Sequence, residues 1–233
     1  MDNWLTRKGE TMERHLDQEL SDLKKELLKM GALAETAIFE SVEALKNLSS
    51  ERANKVISDD KVIDGLENAI DERCLDLLAL RQPMAVALRF ITMSMKISTD
   101  LERIADLAVD IAQRVLDLAG KPLLKPLIDI PKLNSLAQQM VKDALDSFVN
   151  KDADLAGKVI LLDSEADRLR NLVQKELIED YMSKDSSTAP RAVPLLLIAR
   201  HLERICDHTT NIAEDVIYMV NAEVVKHHPE KLK

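Results

Sequence analysis

At 233 residues with a formal charge of −9, the chain has the length for one large domain or two ordinary ones, and it is too acidic for a general affinity for nucleic acid. Aromatics make up only 3% of it and glycines number 5, so base stacking and sheet building lack their usual residues, while Leu, Ala, Ile, Val, Glu, Asp and Lys favour helices. The longest apolar run, Ala192 to Ala199, contains Pro194 and falls far short of the roughly 20 residues that span a membrane.

Met1-Asp2-Asn3-Trp4 leads into no hydrophobic signal segment. Cys74 and Cys206 both fall inside helical patterns without CxxC spacing, which fits reduced thiols in a cytoplasmic core. A first helix is expected from about Gln18 to Leu48, with Leu20, Leu23, Leu27, Met30, Ala34, Ile38, Val42 and Leu45 along its apolar stripe. A second starts by Arg52, carries Val56, Ile63, Leu66, Ile70, Cys74 and Leu77, and stops near Leu80, because Pro83 disfavours the helical state at Gln82. Pro83 then suits the first turn of a third helix. That helix has the most regular seam in the chain: Ile97, Leu101, Ile104, Ala108, Ile111, Val115 and Leu118, in steps of four and three.

Gly120-Lys121-Pro122, Pro126 and Pro131 mark a linker. A fourth helix is expected over about Lys132–Val149, a fifth over Asp152–Met182 and a sixth over Pro190–Val225, with a polar loop from Ser183 to Thr188. His227-His228 falls in a terminal tail. The sixth helix repeats the seam of the third as Ile198, Leu202, Ile205, Thr209, Ile212, Val216 and Met219. Leu101-Glu102-Arg103-Ile104-Ala105-Asp106 likewise returns as Leu202-Glu203-Arg204-Ile205-Cys206-Asp207. A period of about 100 residues is too long for a solenoid and marks a duplicated domain. The expected fold is therefore all-α: two tandem three-helix bundles over residues 1–120 and 132–233, joined by a Pro-rich linker at 121–131.

Acids spaced by four recur at matching places in both repeats. Asp60/Asp64 and Asp163/Asp167 lie on the middle helices, and Glu102/Asp106 and Glu203/Asp207 on the last ones. On a helix this spacing stacks two like charges on one face, a mildly unfavourable arrangement. They lie off the apolar seam, where solvent is expected, and a wet acidic face ordinarily needs no partner. Four pairs in register point instead to a cation. A carboxylate-only donor set suits Mg²⁺, Mn²⁺, Ca²⁺ or iron, and zinc less, since no Cys or His shares the spacing. His201 and His208 point round the helix from the acids and read as surface or interface residues.

A di-iron carboxylate enzyme would need Glu-x-x-His, which occurs nowhere in the chain. Phosphate-binding Gly loops, Gly-x-Ser-x-Gly and His-Glu-x-x-His are absent too, so no catalytic residue or organic cofactor is assigned. A solvent-facing acid stripe also lacks the apolar pocket that raises a carboxyl pKa. The competing reading is a helical adaptor whose acids only keep it soluble, with a carboxylate-metal enzyme behind it.

The two Leu-Glu-Arg-Ile phrases, and above all the run from Ala199 to Glu214, resemble the signature of the PhoU family, regulators of bacterial phosphate uptake. Arg81-Gln82-Pro83-Met84 resembles a second landmark of that family, and the likeness extends over nearly the whole chain. The resemblance implies a cytoplasmic, often dimeric protein with multinuclear clusters of Fe, Mn, Mg or Zn on its surface. It implies Asp60, Asp64, Glu102 and Asp106 as ligands in the first repeat, with Asp110 added. In the second it implies Asp163, Asp167, Glu203 and Asp207, with uncharged Asn211 in the place of Asp110. It further implies a non-enzymatic role: damping the phosphate ABC transporter through its ATPase subunit, and holding the phosphate-sensing histidine kinase inactive at the inner membrane face.

Overall fold

The computed structural model describes residues 2–226, with side chains from His15 onward, so His227 and His228 lie outside the described residues. Six long helices account for nearly all of it: α1 (Asp2–Asn47), α2 (Ser50–Arg81), α3 (Ala85–Asp117), α4 (Asp129–Asn150), α5 (Ala153–Glu176) and α6 (Ala189–Asn221). A π-helical turn at Leu177–Met182 prolongs α5, a 3₁₀ turn at Ser186–Thr188 leads into α6, and there is no strand among the described residues.

The duplication shows in the turns as well as the helices. Leu48 and Lys151 both adopt left-handed backbone (φ 47° and 54°), ending α1 and α4. The next amides, of Ser49 and Asp152, reach back to the carbonyls of Ala44 and Ser147, both at 2.9 Å. The side chains of Ser49 and Asp152 then accept from the N–H groups of Arg52 and Leu155, capping α2 and α5. Each cap contributes about 1 kcal/mol.

Several boundaries differ from the sequence pattern: α1 begins at Asp2, well ahead of the expected Gln18, and α5 gives way to the π-helical turn after Glu176. Gln82 ends α2 in the left-handed region (φ 47°) and α3 begins only at Ala85, so Pro83 stands ahead of the helix and not in its first turn. The corner is held by Arg81, whose guanidinium grips Glu19 of α1 through bonds of 2.9 and 2.7 Å. Helix α4 starts at Asp129, because Pro131 then sits in a first turn that has no use for its missing N–H. Helix α6 ends at Asn221 with Ala222 left-handed, and Val225 beyond it is buried.

In each repeat the three helices pack on one another, and every seam residue of α3 and α6 is buried. The repeats then pack together, chiefly through α3 against α6 and also through α1 against α4. One continuous core results. At the α1–α4 contact a Cβ on Gly31 would lie 2.5 Å from Leu145 Cδ1, so glycine there permits the close approach. The Phe90 and Phe148 rings stack with centroids 5.4 Å apart. Along the α3–α6 seam Lys96 meets Asp215 at 3.3 Å, and Asp100 accepts from Asn211 Nδ2 at 3.3 Å and from His208 Nδ1 at 2.8 Å. These partners descend in α6 as they ascend in α3, so the two helices run antiparallel. Cys74 and Cys206 are buried, and burial pushes both thiols well above their ordinary range, to about 12 for Cys74.

The connecting segment is pinned to the second repeat. Lys125 is only 3% exposed at its side chain and pairs with Glu176 of α5. Glu176→Ala would leave that ammonium buried without its counter-charge, and a loss of about 2 kcal/mol is expected in urea unfolding. An unchanged midpoint would mean that the lysine finds water.

Candidate metal sites on the two repeats

Each repeat sets its middle helix beside its last one, α2 against α3 and α5 against α6. Ile63 and Ile70 face inward from α2, as Leu101, Ile104 and Ala108 do from α3. The acids that flank these residues therefore lie along the groove between the two helices. Asp60 loses hydration and feels the charge of Asp64 and Asp106, which raises its pKa to about 6. Glu102 is raised to about 7 by lost hydration, then by Asp106, Glu67 and Asp64, against a lowering by Arg103. In the second repeat Asp163 is raised by lost hydration, Asp167 and Glu203. Asp207 is raised to about 6 by lost hydration, Glu203, Asp163 and Asp167. Acids that perturb one another in this way lie within electrostatic reach, so the acidic pairs of each repeat influence one another across two helices.

The expectation of a wholly solvent-facing stripe is thus corrected. Glu102 and Glu203 are only 16% and 15% exposed at their side chains. Pocket-like conditions for raising a carboxyl pKa exist, because the neighbouring helix covers the flank of the seam.

Asp110 stands apart from this group. It faces α6, with Oδ2 3.7 Å from His201 Nδ1, beyond hydrogen-bond reach. Burial holds His201 below its ordinary pKa. His201 and His208 both lie at the contact between the repeats, and His208 is paired with Asp100.

Two residues near these acids escaped the sequence reading. Glu67 adds a fifth acid in the first repeat. At the equivalent place in the second stands Arg170, whose Nη2 reaches Asp167 at 3.2 Å and Glu203 at 3.1 Å. Aligning the middle helices on Asn68 and Asn171 sets Glu67 against Arg170, one position earlier. That signal was available in the sequence.

The donor chemistry fits a hard cation. The sets are carboxylate only, Arg103 relieves their mutual repulsion in the first repeat only in part, and Glu102 Oε2 is buried without a hydrogen bond. Arg103 Nε lies 3.4 Å from that oxygen and Nη1 3.1 Å from Asp106, but its side chain is 56% exposed. Among the described residues no three His, Cys, Asp or Glu side chains are already drawn together as a metal-holding group. A metal would have to gather them by side-chain rotation.

The chain as a whole is similar to known proteins. The family model described as the PhoU domain matches twice, over residues 27–115 and 130–216. A phosphate-specific transport system accessory protein PhoU homolog of Aquifex aeolicus is 41% identical, over 94% of this chain and 98% of the relative. The homolog of the same name from Pseudomonas aeruginosa is 38% identical over 94% and 92%. The crystal structure of PhoU from Pseudomonas aeruginosa superposes with a TM-score of 0.85 at 38% identity, covering 89% of this chain and 99% of that one. The phosphate transport system regulatory protein PhoU from Streptococcus pneumoniae gives 0.84 at 31% identity, over 90% and 99%.

Proposed function

The chain belongs to the PhoU family, and from that premise we propose that it is a cytoplasmic, metal-binding, non-enzymatic regulator of phosphate homeostasis. Its role is accessory to phosphate transport, as its relatives are named. It damps the phosphate ABC transporter by binding the ATPase subunit, and it restrains the phosphate-sensing histidine kinase. It works as a homodimer and meets the membrane only through these partners; no described helix is long and apolar enough to cross one.

The observation that carries the metal reading is the meeting of two acidic pairs from neighbouring helices, once in each repeat. Asp60, Asp64, Glu102 and Asp106 would hold cations in the first repeat, and Asp163, Asp167, Glu203 and Asp207 in the second. The ion, Fe, Mn, Mg or Zn, would neutralise the crowded carboxylates and fix α2 to α3 and α5 to α6, making a rigid face for a protein partner. Asp110 serves as an added ligand only if its side chain turns away from His201.

Replacing Glu102, Asp106, Glu203 and Asp207 together with alanine is expected to remove bound metal, measured by elemental analysis of protein purified without chelator. The same variant is expected to release phosphate-responsive genes from control. Unchanged metal content and unchanged phosphate control would sink the proposal. A plain helical adaptor with solvated acids is the second reading, favoured by the absence of a ready-made ligand group among the described residues. Substoichiometric metal, with no thermal shift on adding Mn²⁺, would decide for it.

A further inference from the structure

The two acidic sites differ in one respect that the duplication makes visible. Of the equivalent positions on the middle helices, the first repeat has Glu67 and the second Arg170. Arg170 is not a loose surface side chain. It is 28% exposed, it crosses from α5 to Glu203 of α6, and one nitrogen contacts Asp167 and Glu203 at 3.2 and 3.1 Å. These two acids belong to the two different helices whose carboxylates meet in that repeat. A guanidinium therefore already sits between helices where a metal would bridge them. Arg103 in the first repeat is no counterpart, since it contacts only acids of its own helix and is 56% exposed. Pairs of that kind contribute little and let go readily.

We infer that Arg170 is a resident cation of the second repeat, so that a divalent metal loads the first repeat first and the second only after the guanidinium withdraws. This rests on the metal-binding reading above. Two physical arguments support the order. A positive charge within about 4 Å of a dication opposes it strongly even at the effective dielectric of a protein surface. In the first repeat, Glu67 adds attraction at the same position. Arg170 also has room to leave: it lines an open cleft of about 620 Å³ with Gln174, Ile178, Arg200 and Arg204. Its Nε is buried and makes no hydrogen bond; Nη2 alone holds the two acids, while Nη1 donates to Asn171 Oδ1 at 2.7 Å and Gln174 Oε1 at 3.5 Å, neutral partners on its own helix. The second repeat is thus the weaker site, and a partner that offers Arg170 a carboxylate or phosphate oxygen would raise its metal affinity.

The test uses Mn²⁺ alone, with calorimetric titration and Mn counted per chain. Glu102→Gln with Asp106→Asn silences the first repeat and isolates the second. In that background Arg170→Gln is expected to tighten Mn²⁺ binding at least about tenfold, while Arg170→Lys, which keeps the charge, does not. In the complementary background of Glu203→Gln with Asp207→Asn, Glu67→Arg is expected to weaken Mn²⁺ binding about tenfold. That second variant keeps the test open if Arg170→Gln does not fold. Second-repeat affinity equal to that of the first, or unmoved by Arg170→Gln, overturns this inference and leaves the metal reading standing. Failure of the wild-type chain to bind Mn²⁺ overturns this inference, and failure to bind Fe²⁺, Mg²⁺ and Zn²⁺ as well overturns the metal reading.

Discussion

Ile104→Ala is expected to destabilise the protein by about 4 kcal/mol and to lower its midpoint of thermal unfolding by roughly 10 °C. Ile104 is fully buried in α3, the helix that packs on α1, α2 and α6, so the cavity opens inside the shared core. A close-packed interior collapses only partly around such a void, so the cost exceeds the transfer of the lost methyl groups alone. Ile205, its fully buried repeat mate in α6, should give a similar loss. Ile104→Val should cost about 1 kcal/mol. Chemical unfolding of the three variants checks this, and a loss below about 1 kcal/mol for Ile104→Ala would mean that the seam is not close-packed. Ile104 lies between Glu102 and Asp106, so the same variant should also bind Mn²⁺ more weakly than its stability alone explains.

Glu102→Gln should make the metal-free protein more stable at pH 8 and should weaken its metal binding. The sign follows from proton linkage. Folding raises Glu102 from 4.5 to about 7, so the folded chain holds that proton more tightly than the unfolded one. Its contribution to stability is full below pH 4.5 and is lost as the pH climbs through 7. Asp60 and Asp207, each raised from 3.8 to about 6, act in the same direction over a lower window. His201 opposes them. Its lowered pKa favours the fold above its ordinary 6.5 and costs stability as the pH falls, but it is one group against several. In chelator the wild-type protein should therefore melt at a higher temperature at pH 5 than at pH 8. The glutamine variant should melt above the wild type at pH 8 and show a shallower pH dependence. A metal competes with those protons, so its affinity should rise from pH 5 to pH 8. A glutamine variant that melts below the wild type at pH 8 would show that the ionised carboxylate is well solvated.

The environment of Glu102, a proposed ligand, could not be read from spacing. The seam of α3 follows from a period of four and three, and every residue assigned to it is buried. Glu102 stands next to that seam, and whether it meets water depends on α2, whose position no local period encodes. The same holds for Asp110. Its spacing groups it with Glu102 and Asp106, yet the antiparallel packing of α6 turns it toward His201. Arg170 is the reverse case, because the duplication marks its position and only the packing of α5 on α6 adds Glu203 to the Asp167 of its own helix.

Six helices, their duplication and the four acidic pairs were determined by the sequence alone, because periodicity, capping residues and proline act over a few neighbours along the chain. How the repeats share one core through α3 and α6, which acids lose hydration and which cation stands among them were decided by the tertiary structure. Burial and charge depend on distances between residues far apart in the chain, and those distances exist only once the helices have packed.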